Sequence, residues 1–238
     1  MTFFKHIKYF EQAFVMRHHQ IIVSLLLVLA GVLFTSCASV STMQTAGTVP
    51  EGEVRWAIAS TGTGGNGETK ASADPNFEAS VRYGVAENFD IGLKVNFLGA
   101  QAGAKYQFLR GEFDLSLGLE AGYQWVRTNG TEKPSSHVLE FHLPLLMEYH
   151  FNPYVGLMFG PKLMGLVMFD QDDGREDIWQ SDHSGLYLGL AIGLPLRLTD
   201  GIWFQPEFNI YGNAYDKAGN YFNTCIWQAG VSVFFGGL

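Results

Sequence analysis

The sequence predicts an all-β fold, an antiparallel transmembrane up-and-down β-barrel of about ten strands. Three observations lead there. From Glu51 to the end, apolar and polar residues alternate with a period of two, and no stretch sustains a helical period. One parity is bulky and nearly free of charge, while the other holds the ionic side chains and many glycines. Short turns alternate with longer polar loops. Charged residues make up only 16% of the chain, against about 25% in an ordinary soluble domain. Much of the surface is therefore expected to meet something other than water.

The first 36 residues read as a leader and not as part of the fold. The apolar run IIVSLLLVLAGVLF, residues 21–34, follows Arg17 and two histidines and ends in FTSC. It is shorter than the roughly 20 apolar residues of a spanning helix, and its order of parts is that of a secretory signal. Met16 gives a more compact leader than Met1 and is the expected start. FTSC resembles a bacterial lipobox, in which small residues precede a Cys that becomes lipidated. Thr35 and Ser36 fit, and Phe34 departs from the usual Leu. Cys37 is thus the expected lipidation site; the alternative is an ordinary secreted chain with a leftover thiol. Cys225 is the only other cysteine, so a disulfide is open only to an unlipidated Cys37. Loss of residues 1–36 removes Lys5, Lys8, Arg17 and Glu11, leaving 12 Lys+Arg against 22 Asp+Glu. Such an acidic chain has no footprint for nucleic acid.

Residues 37–50, small and polar, read as a flexible tether. The barrel is expected over 51–238. Its strands begin near Glu53, Phe77, Phe89, Gln101, Glu112, His137, Tyr154, Gly185, Ile202 and Asn223. Most are long enough for a tilted membrane strand of about 9 to 11 residues. Tight turns (AEN, RG, NP, TDG) alternate with longer breaks such as RTNGTEKPSS and DQDDGREDIWQSDHS. Only the third-to-fourth connection, near Gly99, is brief on the long-loop side. An even strand count leaves both termini on the short-turn, periplasmic side, where a lipid on Cys37 is expected to anchor. Pro144, Pro161, Pro195 and Pro206 fall inside strands, where each removes a ladder donor, and local irregularity is expected at them.

Splitting the strands by parity gives the two faces. Val81, Tyr83, Val85, Ile91, Leu93, Leu115, Leu117, Leu119, Leu186, Leu188, Leu190 and Ile192 share the apolar one. The other holds Arg55, Arg82, Lys94, Lys105, Lys162 and Arg197 against Glu53, Glu78, Asp90, Asp114, Glu120, Glu140, Glu148 and Glu207, with His142 and His150 among them. The apolar face is too bulky for the inside of a narrow barrel, so it is placed outward, in lipid. Aromatics such as Phe89, Phe113, Phe151 and Phe204 gather near the short turns, and Tyr123, Trp125, Phe141 and Trp227 toward the loops, as interfacial girdles do.

Leader, tether and strand pattern together resemble small bacterial outer-membrane β-barrel proteins, in particular lipid-anchored ones with a short tether before the first strand. The resemblance implies a place in the bacterial outer membrane, contact with its lipid, and assembly by the barrel-assembly machinery. Such barrels commonly end on an aromatic; here Phe235 is followed by Gly236, Gly237 and Leu238. Inside a ten-strand barrel side chains nearly fill the lumen, and buried charges must pair. The expectation is a paired network that plugs the lumen, with a structural or surface-interaction role and no catalysis. A narrow path for a small solute or ion is the alternative within that class.

Two patterns raise chemistry. Glu140 with His142, and Glu148 with His150, share a strand face; each pair supplies at most two zinc ligands of the three or four required, and no metal or cofactor is expected. The loop 170–183 holds Asp170, Asp172, Asp173, Glu176, Asp177 and Asp182, which suits either a solvated loop or a calcium site lacking the EF-hand order. Asp182 and His183 give the runner-up function, a rim hydrolase like the proteases and lipid-modifying enzymes built on small outer-membrane barrels.

Overall fold

A computed structural model describes residues 41–65, 74–126, 136–170, 184–216 and 225–236. The loop 171–183 and the leader lie outside these residues, as do Cys37, Asp182 and His183. The described strands, in chain order, are β1 Val54–Gly65, β2 Asp74–Ala86, β3 Phe89–Asn96, β4 Gly99–Leu109, β5 Phe113–Val126, β6 Ser136–Asn152, β7 Val155–Asp170, β8 Gly185–Gly193, β9 Leu196–Thr199, β10 Ile202–Asp216 and β11 Cys225–Phe235. Sequence neighbours pair antiparallel, and β11 pairs with β1 as well as with β10, so the sheet closes and leaves no edge. β8 and β9 are two parts of one expected strand, since both lie between β7 and β10. The barrel therefore has ten strand positions.

The prolines explain the break. Pro195 separates β8 from β9, and Pro206 sits opposite on β10, where pairing lapses between Phe204↔Leu196 and Glu207↔Gly193. The two missing N–H donors share one gap. The same economy recurs at Pro144 and Pro161. Pairing of β6 with β7 stops at Pro144↔Lys162 and resumes at Met147↔Phe159. Outside these gaps Pro206 keeps a regular register with Val231 of β11.

The two faces fall as their parity predicts. Leu93, Leu117, Leu119, Leu186, Leu188, Ile192 and Phe141 are exposed on the outer wall. Asp90, Lys94, Lys105, Asp114, Glu120, Glu140, His142, Glu148, Lys162 and Glu207 are buried inside. No helix among the described residues is long and apolar enough to cross a membrane. Glu53 is an exception to the inward set, being exposed just before β1.

One expectation is corrected. Of the flexible tether expected over 37–50, the described part runs inside the barrel over residues 41–49. Ser41, Thr42, Met43, Gln44, Ala46, Thr48 and Val49 are all buried. Its composition suits the fit: apart from Met43 and Gln44 the side chains are small, and none is charged or aromatic. Gly84 makes room where the segment meets β2, since a Cβ there would come 2.0 Å from the Pro50 carbonyl oxygen.

Candidate functional site in the barrel lumen

The inner wall meets a chain that has no ladder of its own over residues 41–49, so the backbone polar groups of that chain need other partners. The lumen side chains supply them, and the two signs of charge divide the task. Acceptors take the N–H groups. Glu207 Oε1 accepts from Thr42 at 2.6 Å, Glu148 Oε2 from Ala46 at 3.0 Å, Gln107 Oε1 from Thr48 at 2.9 Å and Asp90 Oδ2 from Val49 at 2.9 Å. Donors take the carbonyls. Lys94 Nζ donates to Ser41 O at 2.9 Å, and Lys105 Nζ donates to both Thr45 O and Gly47 O at 2.8 Å. Gln205 Nε2 reaches Gln44 O at 3.4 Å.

Side chains of the segment complete the seal. Ser41 Oγ donates to Glu78 at 2.6 Å, Gln44 Nε2 donates to Glu120, and Thr42 Oγ1 donates to Asn209 Oδ1 at 3.1 Å. Arg55 Nη1 donates to Thr45 Oγ1 at 3.0 Å. Gly47 lies beside Asp114, a Cβ at that position being 3.4 Å from Oδ2. What space remains includes a small polar pocket beside Thr42 and Gln44, walled by Arg82, Lys94, Gln101 and Glu120.

The wall also pairs with itself. Arg82 grips Asp90 Oδ1 through Nε at 2.8 Å, and Lys105 Nζ stands 3.7 Å from Asp90 Oδ2. Lys94 lies 3.7 Å from Glu78. Lys162 donates to Asn209 Oδ1 at 3.0 Å, and Asn209 Nδ2 donates to Glu207 Oε1 at 2.6 Å. Because a buried carboxylate without donors is costly, these contacts and those of the segment stabilise the same groups. Glu207 alone accepts from Thr42, Gln205 and Asn209.

The two Glu–His pairs separate in role. His142 Nε2 is 3.4 Å from Glu140 Oε2, close to it but without hydrogen-bond geometry. His150 is near the turn end, with Nε2 3.1 Å from Asp114 and Nδ1 3.7 Å from Glu148. The His142 side chain is buried, whereas that of His150 is 27% exposed. No group of three or more His, Cys, Asp or Glu among the described residues is arranged to hold a metal ion. Arg197 is the inward base that stands apart, at the turn-side rim, paired with Asp200 at 2.8 Å and stacked 5.9 Å from the Trp203 ring.

The sequence names candidate wall residues by parity; it does not name the segment 41–49 that they contact here. The signal available was compositional: residues 41–49 hold no charge and no aromatic ring. Those properties suit a solvated linker equally well. Gln107, Gln205 and Asn209 are further members of the set.

Comparison with solved structures finds other outer-membrane proteins. Ail, the attachment invasion locus protein of Yersinia pestis, is 11% identical, with 78% of this chain and 99% of that chain covered and a TM-score of 0.37. Neisserial surface protein A is 8% identical over 78% and 99%, with a TM-score of 0.45. An outer-membrane channel from Pseudomonas putida F1 is 8% identical over 84% and 100%, with a TM-score of 0.45. No curated protein matches the chain. The family model described as the outer membrane protein beta-barrel domain matches residues 30–235, and the chain belongs to that family.

Proposed function

We propose that this outer-membrane barrel is a sealed, non-catalytic lipoprotein with a structural or surface-interaction role. The observation that supports it is residues 41–49 lying in the lumen with their backbone bonded to wall side chains on several strands. A permeant ion would need to displace these contacts or find a path beside them. The lipoprotein part rests on the leader and on FTSC ending at Cys37. A lipid there adds about 0.8 kcal/mol per buried CH₂ to membrane attachment. Partners on this reading are outer-membrane lipid and, during biogenesis, the barrel-assembly machinery.

Planar-bilayer recording of the purified full-length chain is the test. A silent bilayer after verified insertion is expected. Unitary current steps would instead establish a narrow solute or ion path through the lumen and overturn the sealed reading.

A further inference from the structure

The direction in which the lumen segment runs determines where Cys37 can be, and the argument rests on the lipoprotein reading. Val49 and Pro50 lie against Gly84, and Thr48 Oγ1 donates to Glu87 O in the β2–β3 turn. These contacts are at the short-turn end. Read backward along the chain, the partners climb the wall: Glu148 for Ala46, Glu120 for Gln44, Glu207 and Asn209 for Thr42, then Glu78 and Lys94 for Ser41. Lys94 is close to the loop end of β3, which stops at Asn96, and Asn96 pairs with Glu78. Ser41 is thus at the loop-side level of the β3–β4 hairpin.

Reach excludes a return to the turn end. From Glu78 to Ala86, β2 descends about 26 Å at about 3.3 Å per residue, or about 20 Å along the barrel axis for a strand tilted near 40°. The chain from Cys37 to Ser41 spans at most about 14 Å when fully extended. The lumen below Ser41 is, moreover, already filled by residues 42–49. The periplasmic anchor expected from the even strand count is therefore out of reach.

The wall offers an exit on the other side. β2 continues beyond its pairing with Asn96 to Asp74, and β5 continues past the Gly99↔Gln124 pair to Val126. The β3–β4 hairpin, closed by Phe97 and Leu98, is a low point between them. Phe97 faces outward there, 55% exposed. We infer that residues 41–49 thread this chain's own barrel and that the acyl group on Cys37 lies in the outward-facing leaflet, on the loop side, beside the β3–β4 hairpin. The modification is a thioether between the Cys37 sulfur and a diacylglyceryl group. It forms as the glycerol–phosphate C–O bond of a donor phospholipid breaks and the departing phosphate headgroup takes the thiol proton.

The test uses the full-length chain in cells, with a short epitope inserted between Ala38 and Ser39. A control chain has the same epitope after Pro153, in the β6–β7 turn. Antibody labelling is compared between intact cells and cells with a permeabilised outer membrane. Expected is full labelling of the 38/39 epitope on intact cells, with the Pro153 epitope labelled only after permeabilisation. Labelling of the 38/39 epitope only after permeabilisation overturns the inference. Mass spectrometry of the N-terminal peptide keeps the two readings distinct. A lipidated Cys37 with a periplasmic epitope refutes the placement and leaves the lipoprotein standing. An unmodified Cys37 with a surface epitope refutes the lipoprotein and, with it, the placement of the acyl group.

Discussion

Glu207 accepts a 2.6 Å hydrogen bond at Oε1 from the backbone N–H of Thr42, a residue 165 positions away along the chain. The contact joins the lumen segment to β10, which β11 and β1 separate from β2 and its Glu78 contact with Ser41. With Gln205 and Asn209 also donating to it, the Glu207 carboxyl is acceptor to three donors. Its Oε1 holds the segment at Thr42, while Oε2 accepts from Gln205 of the same strand.

Glu207→Ala leaves those three donors without their acceptor in a buried space. The expected loss is about 3 kcal/mol, the upper range for hydrogen bonds to a charged group. Glu207→Gln keeps one acceptor oxygen and is expected to lose roughly half as much. Urea unfolding of the purified barrel in lipid vesicles reads both values; equal stability of the Ala variant and the parent would refute the role assigned to this carboxylate.

Lys105 donates to two carbonyls of the segment, Thr45 O and Gly47 O, and lies beside Asp90. Lys105→Ala is expected to cost about 1.5 to 3 kcal/mol. Asp90 retains Arg82 and the Val49 N–H, which keeps the penalty below that of a fully orphaned charge. Deleting residues 41–49 should remove most of this effect, because the carbonyls leave with the segment. A double-mutant cycle in unfolding free energy checks it, with an interaction energy of at least about 0.5 kcal/mol expected for groups in direct contact.

Much of the barrel was legible because membrane strands obey a two-residue period. Leu186, Leu188 and Ile192 on one side and Glu140, His142 and Glu148 on the other require only counting to be assigned to opposite faces. The prolines were legible as irregularities. Their pairing across strands was not, since Pro195 and Pro206 become neighbours only once the register is set. The lumen segment was hidden for another reason. Residues 41–49 bond largely through their backbone, and every residue type but proline offers the same N–H and C=O, so side-chain pattern marks them only weakly. The wall held an indirect sign. Lys94, Lys105, Asp90 and Glu207 could have balanced one another alone, and only the fold reveals that they also face another part of the chain inside the lumen.

Gly84 is where the end of that segment, Val49 and Pro50, passes against β2. A Cβ at this position would stand 2.0 Å from Pro50 O and 2.5 Å from Val49 O, and backbone atoms cannot step aside as a flexible side chain does. Gly84→Val is therefore expected to cost about 1 to 3 kcal/mol through overpacking and to loosen the Val49–Asp90 bond. The first effect is read in unfolding free energy. The second is read as faster hydrogen exchange at the Val49 amide, while amides of the distant β6–β7 pair keep their protection.

The outer wall makes the complementary prediction. Leu188 is 49% exposed on the apolar face, in the interior of β8 and paired with Leu163 and Gly212. In water an exposed leucine would tolerate arginine with little change. In lipid the same substitution places a cation against hydrocarbon, at a cost of about 2 to 4 kcal/mol near the midplane of the bilayer. Leu188→Arg should lower the unfolding free energy in vesicles by that amount. Leu198→Arg, near the short-turn end of the barrel and 62% exposed, should cost about 1 kcal/mol or less, because the guanidinium reaches the interface. Equal costs at the two positions would mean that the apolar face does not sample a membrane depth gradient, and the lipid-facing assignment of the wall would fall.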